Sequence, residues 1–295
     1  MDTKKIIFYE VKMSDRADER IHVCYCGNEK VFPLILLSAI SIAKYTTAPV
    51  SLYLVTANLT RINEKFIAVD KSREAILTEA LQKGNPQSNA QIIDATDLYE
   101  SVLGGGKNER SKYTPYTLLR LLLTKLDIND RILYLDADTM CCSDLSEFWK
   151  IDISDYEFAA VRDHMGQYFI RRNYINAGVL YLNIDEIAKT GLFDRGIVKV
   201  KNKKLFFSDQ TVINKYGKNI LRLPRKFNEQ RKAIEGETVV KHFCQGIKWV
   251  PFHVYNIKQS ERKKVRENLG IDFFEDIYQE YDELQAKYKF EKERG

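Results

Sequence analysis

"RILYLDADTM", residues 131–140, sets the apolar run Ile132–Leu135 directly against two acids, Asp136 and Asp138. The run reads as a buried strand, and a buried strand has no evident use for two carboxylates at its tip. Two readings stand open. The pair is either a solvated turn or a site for a hard divalent ion, which takes oxygen ligands. Without a cation, mutual repulsion would raise one carboxyl pKa. Position bears on the choice, because ligands in parallel α/β sheets gather beyond the carboxyl ends of the strands. Here Asp136 closes the strand and Asp138 opens the loop after it.

Working outward, short apolar runs alternate with helical patterns. "IHVCYC" (21–26) is a strand before the helix-like "VFPLILLSAISIAK". "SLYLVT" (51–56) is a second strand, and residues 61–82 carry the pattern of one charged amphipathic helix. "QIID" (91–94) is a third strand. "PYTLLRLLLTKL", apolar on most faces, predicts a helix leading into the 131–135 strand, and further strands fall at "EFAAVR", "GVLYLN", "ILRLP" and "VVKHF". Alternation of this kind predicts an α/β fold, Rossmann-like, with a mostly parallel sheet flanked by helices. No repeat or Pro/Ser-rich linker divides the chain, so one domain is expected over residues 1–255. Residues 256–295 form a helical C-terminal extension with interleaved tyrosines and lysines. It could dock on the domain, join a partner or lie on a membrane surface.

The 295 residues are 44% hydrophobic and 29% charged, which argues against disorder. The net charge of +5 does not argue for nucleic acid. Basic clusters at 199–204 and 222–232 are solvated faces or anion-binding surfaces. "MDTKKIIFYEVKMSDRADER" has no apolar core of signal-peptide length, and no stretch approaches the ~20 apolar residues of a membrane span. Five cysteines, two of them adjacent, suit buried free thiols in a reducing compartment. The expected location is cytoplasmic.

Two more stretches could carry chemistry. "YINAGVLYLN" (174–183) sets Asn176, Ala177 and Gly178 before a strand. Small residues with an amide permit close approach to a polar ligand such as a sugar hydroxyl, or simply make a turn. "VVKHFCQGIKW" (239–249) puts His242 at a strand end, followed by Gly246 and Lys248. The histidine could be structural or a metal ligand, and a lysine beside a glycine turn suits a phosphate. "GGGKN" (104–108) lacks the spacing of a P-loop.

In order along the chain, "RILYLDADTM", "INAGVLYLN", "FFSDQTVIN" and "HFCQGIKW" resemble the motif blocks of glycosyltransferase family 8. This is the retaining GT-A group that includes bacterial lipopolysaccharide galactosyl- and glucosyltransferases and glycogenin. The resemblance implies a GT-A type nucleotide-diphospho-sugar transferase fold. It also implies a metal-dependent, retaining transfer of a hexose, galactose or glucose, from a UDP-sugar to a glycan, lipid-linked or protein acceptor. By similarity, Asp136, Asp138 and His242 would hold Mn²⁺ or Mg²⁺ at the diphosphate, with Ala137 at the donor between the acids. Gly246 and Lys248 would meet the diphosphate from the other side. Cys26 would lie near the uracil, with Asn28 in the family's usual acidic position. Arg120 would contact the donor; the residues alone also allow a surface or capping arginine. Asn176, Ala177 and Gly178 would face the donor sugar, with Asp163 a further candidate for the donor or acceptor side.

Asp209 and Gln210, expected to open a helix capped by Ser208, would lie beside the anomeric carbon. Glutamine is a poor nucleophile, so a front-face route is favoured. In that route Gln210 stabilises the oxocarbenium-like state and Asp209 binds sugar hydroxyls. Two departures from the family pattern are visible: Asn28 replaces a carboxylate, and Trp249 follows Lys248 without the usual proline. A nucleotidyltransferase of the same fold would need a glycine-rich, arginine-containing loop after the first strand, which "CYCGNEKVF" lacks. A catalytically silent nucleotide-sugar or glycan binding module is the remaining alternative. The acceptor side and any peripheral membrane contact through the C-terminal extension belong to variable segments.

Overall fold

The computed structural model describes residues 12–13, 20–111, 114–249 and 252–290. Its strands are β1 (Ile21–Cys26), β2 (Val50–Thr56), β3 (Asn89–Asp94), β4 (Arg131–Leu135), β5 (Thr139–Cys141) and β6 (Phe158–Arg162). They continue with β7 (Ile175–Asn183), β8 (Ile220–Arg222), β9 (Val240–His242), β10 (Gly246–Trp249) and β11 (Phe252–Tyr255). Seven of them form one sheet in the order β3-β2-β1-β4-β7-β6-β8. All its pairings are parallel except those of β7, which runs antiparallel to both β4 and β6.

The central strands are apolar throughout because both faces are covered. Val23, Tyr25, Leu133 and Leu135 join one core; Cys24, Cys26, Ile132 and Tyr134 join the other. The first core holds helix Phe32–Tyr45, helix Arg73–Gln82 and the C-terminal helices Arg262–Leu269 and Glu275–Tyr288. The second holds the segment Pro115–Lys125 and helices Ile184–Thr190, Leu192–Asn202 and Ser208–Tyr216. A sheet between two helical layers is the expected α/β architecture.

The C-terminal extension docks. Ile277, Tyr278, Tyr281 and Leu284 are buried in the same core as Ile35, Leu36 and Ile40 of helix Phe32–Tyr45. That contact explains why "VFPLILLSAISIA" is apolar nearly all round: sheet covers one side and extension the other. No helix among the described residues is long and apolar enough to cross a membrane.

Two elements differ from expectation. Residues 61–82 do not form one helix; only Arg73–Gln82 is helical. Asn63 Oδ1 accepts from Lys65 N at 2.9 Å and Asp70 Oδ1 from Ser72 N at 2.8 Å. Such side chain-to-backbone bonds compete with helical turns. Residues Pro115–Lys125 wind as a 3₁₀ helix rather than an α-helix. Its i→i+3 repeat stacks Thr117 under Arg120, and Arg120 Nε donates to Thr117 O at 3.2 Å.

Candidate donor and metal site

Asp136 lies past the end of β4 and continues the pairing with β7, its N–H donating to Gly178 O at 2.7 Å. Thr139 Oγ1 donates to Asp136 O at 2.9 Å, which folds residues 136–138 into a turn. The chain then enters β5, which pairs antiparallel with β9 so that Thr139 faces His242. Phe243 N donates to Asp138 O at 2.8 Å and locks the register. His242, more than a hundred residues away in sequence, thereby reaches the acids. One ligand atom from each of Asp136, Asp138 and His242 lies within 4.8 Å of the others.

The two oxygens of Asp136 are divided. Oδ1 accepts from Arg120 Nη2 at 2.8 Å and from Tyr134 Oη at 2.9 Å, while Oδ2 faces His242 Nε2 at 4.0 Å. Tyr134 and Asp136 share a side by the two-residue period of a strand. Asp138 presents Oδ1 to His242 Nε2 at 3.2 Å and Oδ2 to Lys258 Nζ at 2.6 Å. Burial opposes ionisation of Asp138, but His242 and then Lys258 hold its carboxyl well below the usual carboxylate range. Burial also pulls on the Lys258 ammonium, and Asp138 more than offsets it, so its pKa is raised.

Arg120 is the tie between elements. Its buried guanidinium pairs with Asp136, with Asp209 Oδ2 at 3.1 Å and with Ala177 O, and it lies 4.2 Å from the Tyr134 ring centroid. Neither a surface nor a capping role fits a side chain only 3% exposed. Burial raises the pKa of Asp209, against the pull of Arg120 and with the push of Asp136. Gln210 Oε1 accepts from Ala177 N at 3.0 Å. Ser208 is not the expected cap: it is the first helical residue, with φ +26°, and makes no capping bond. A left-handed serine is strained backbone, and it immediately precedes Asp209 and Gln210.

Gly178 has no room for a side chain. A Cβ there would strike His242 Cε1 and come within 2.7 Å of Asp136 Oδ2. Asn176 is also structural. Its Oδ1 accepts from Gly178 N and Asn228 Nδ2, both at 3.0 Å, and its Nδ2 donates to Asp163 Oδ2 at 2.9 Å. Asp163 Oδ1 in turn accepts from Met165 N and Gly166 N.

These groups wall a cavity of about 950 Å³ whose lining includes Asp136, Asp138, Asn176, Gly178, Gln210 and His242. Gly246 also lines it, and its α-carbon sits against the Tyr255 ring, leaving no space for a Cβ. Arg120, Ala177 and Asp209 line an adjoining pocket of about 120 Å³ that shares Gln210. Ala137 turns its carbonyl away, to Gln259 Nε2 at 2.7 Å. Cys26 and Asn28 are buried at the end of β1, outside both cavities; Asn28 Nδ2 donates to Lys65 O at 3.4 Å. The side chain of Lys248 lies outside the described residues. Cys244, on the cavity wall, is a thiol whose pKa burial pushes up to about 12.

The sequence reading missed four contributors. Tyr134 was legible from its i, i+2 relation to Asp136. Asn228, Lys258 and Gln259 stand in no motif, and only the fold brings them near.

The family model described as "Glycosyl transferase family 8" matches residues 22–249. The chain belongs to that family. This glycosyltransferase is 22% identical over 293 residues to a Haemophilus influenzae protein named as a glycosyltransferase, covering 88% of this chain and 84% of the relative. It is 28% identical to the lipopolysaccharide 1,2-glucosyltransferase of Escherichia coli K12, covering 44% of this chain and 46% of that one. Among solved structures, the galactosyltransferase LgtC in complex with donor and acceptor sugar analogs superposes with a TM-score of 0.61 at 16% identity. The superposition covers 92% of this family-8 chain and 98% of LgtC. The GT-A fold follows from that likeness.

Proposed function

We propose that this glycosyltransferase moves a hexose, galactose or glucose, from a UDP-sugar to a glycan, lipid-linked or protein acceptor. The reading includes retention at the anomeric carbon and a Mn²⁺ or Mg²⁺ ion. It rests on one observation above the others: Asp136, Asp138 and His242 converge on the floor of a 950 Å³ cavity at the carboxyl end of the sheet. The donor set suits a borderline-to-hard dication. His242 turns Nε2 toward both acids, and the three acids Asp136, Asp138 and Asp209 meet two cations, Arg120 and Lys258, in their ion pairs. A dication bound there supplies a Lewis acid that stabilises the charge left on the departing diphosphate.

The chain's own groups then have distinct tasks. Arg120 and Tyr134 pin one oxygen of Asp136 and leave the other to the ion. Gly246 and Lys248 meet the diphosphate; Cys26 and Asn28 are given the nucleoside side by the family resemblance, although both are buried outside the two cavities. Ala137, Asn176, Ala177 and Gly178 shape the wall against the donor. Asp209 binds sugar hydroxyls, oriented by Arg120. Gln210, fixed at its carbonyl by Ala177 N–H, turns its amide to the anomeric centre and stabilises positive character there. The acceptor enters over the opposite wall, where Phe169, Ile170 and Phe206 are exposed. The C-terminal helices bury their apolar side on the domain, so a membrane contact through them draws no support from an exposed apolar face. A cytoplasmic site of action is part of this reading, which treats residues 1–255 as the catalytic unit and 256–295 as its extension.

A panel of UDP-hexoses with Mn²⁺ tests the reading. Release of UDP from at least one is expected, slow without acceptor and lost on chelation. No turnover and no binding of any donor would remove the UDP-sugar assignment; tight UDP binding with no turnover would leave a silent binding module.

A further inference from the structure

The cation already present at the acids is Lys258, whose Nζ stands 2.6 Å from Asp138 Oδ2 on the wall of the main cavity. The other oxygen of Asp138, Oδ1, faces His242, so the lysine and an ion held by His242 would share one carboxylate. An ammonium and a dication sharing one carboxylate repel strongly at such range. Their binding to Asp138 is therefore antagonistic. Three acids, Asp136, Asp138 and Asp209, face only Arg120 and Lys258 as fixed cations in these ion pairs. Removing Lys258 from Asp138 without a replacement would leave that carboxylate poorly balanced.

The backbone that carries Lys258 is anchored independently of the side chain's ion pair with Asp138. Lys258 N donates to Glu261 Oε2 at 2.8 Å. The next residue, Gln259, is fully buried: its Nε2 donates to Ala137 O at 2.7 Å and Leu34 O at 3.3 Å, and its carbonyl accepts from Tyr278 Oη at 2.8 Å. The Lys258 side chain, by contrast, remains 33% exposed on the cavity side. A compact charge on a flexible four-carbon stem suits a group that changes partners about a fixed α-carbon.

We propose that Lys258 is an exchangeable cation of the donor site. It neutralises Asp138 when no ion is bound, yields that carboxylate to the metal, and turns to the diphosphate of the incoming nucleotide. This rests on the donor-site reading above and adds a residue from the C-terminal extension to it.

The exchange predicts effects of opposite sign from one substitution. In Lys258→Met, Mn²⁺ alone, followed by the paramagnetic resonance of the free ion, is expected to bind at least about threefold tighter because its competitor is gone. Calorimetry with UDP at saturating Mn²⁺ is expected to give binding at least about tenfold weaker, the loss of one charge-assisted hydrogen bond. Lys258→Arg, which keeps the charge, should not tighten Mn²⁺ binding. In the unaltered protein, amine-reactive labelling read by mass spectrometry should find Lys258 slow without ligand, faster with Mn²⁺, and slow again with Mn²⁺ and UDP. Unchanged or weaker Mn²⁺ binding in Lys258→Met, unchanged UDP affinity, or labelling indifferent to Mn²⁺ would each overturn the exchange while the donor site stands. An unaltered protein that binds neither Mn²⁺ nor UDP overturns both.

Discussion

Gly178 is where a single methyl group would undo the site. Its missing Cβ is the space into which the His242 ring and the Asp136 carboxylate fit. Gly178→Ala is expected to displace His242, cost about 1–3 kcal/mol by overpacking, and weaken Mn²⁺ binding at least about tenfold. Thermal denaturation and metal titration together check this; a normal metal affinity in a destabilised protein would separate the ligand role from packing. Asp138→Asn addresses the charge instead of the space. It should abolish metal-dependent UDP binding, read by calorimetry with and without Mn²⁺, and unchanged affinity would count against Asp138 as a ligand. At this scale "LDAD" and "NAG" could each be a plain turn, and the family resemblance made them candidates. The reason for Gly178 lay outside any motif, because its two neighbours come from the turn after β4 and from β9, and neither is near it in sequence.

The element with the widest reach is the C-terminal helix Glu275–Tyr288. It covers the outer side of helix Phe32–Tyr45, and through Tyr278, Gln259 and Ala137 it touches the loop that carries both acids. Tyr278→Phe removes one buried hydrogen bond and is expected to cost about 1 kcal/mol. Truncation after residue 255 is a larger matter: it exposes Ile35, Leu36 and Ile40 together and removes the grip on Ala137. The shortened chain is expected to aggregate, or to lose cooperative melting, which calorimetry and light scattering would reveal. A truncated chain that melts as sharply as the full one would show the extension to be dispensable for the fold. The periodicity of these helices was plain in the sequence, whereas their partner was not. Docking, association and membrane contact all ask for the same amphipathic stripe, and only burial distinguishes them. Residues 61–72 give the converse lesson. Their pattern fitted a helix, but Asn63 and Asp70 bind their own backbone and stop it.

Across the whole molecule, the exposed apolar side chains are unevenly spread. Phe169, Ile170, Phe206 and Val254 are all exposed and all line the main cavity. Exposed apolar surface at a cavity mouth marks a ligand-contacting wall, and the acid-bearing floor lies elsewhere in the same space. Phe206→Ser is therefore expected to raise the acceptor KM about tenfold while slowing acceptor-free release of UDP far less. Comparing hydrolysis with transfer in the same preparation separates the two effects, and equal losses would move Phe206 to the donor side.

The α/β alternation, the strand that runs into Asp136, and four ordered motif blocks that named the family were all legible along the chain. Those features are local: strand and helix periods, and residue types at fixed spacing, survive in one dimension. The family resemblance grouped His242 with the acids, but only the folded chain shows that β5 pairs with β9 to bring it to Asp138, and that Arg120 is a buried tie between Asp136 and Asp209. It also shows that Lys258, from beyond the last motif, pairs with Asp138. Each of these is a charge whose partner is set by strand register or helix docking, and no spacing along the chain encodes a distance across it.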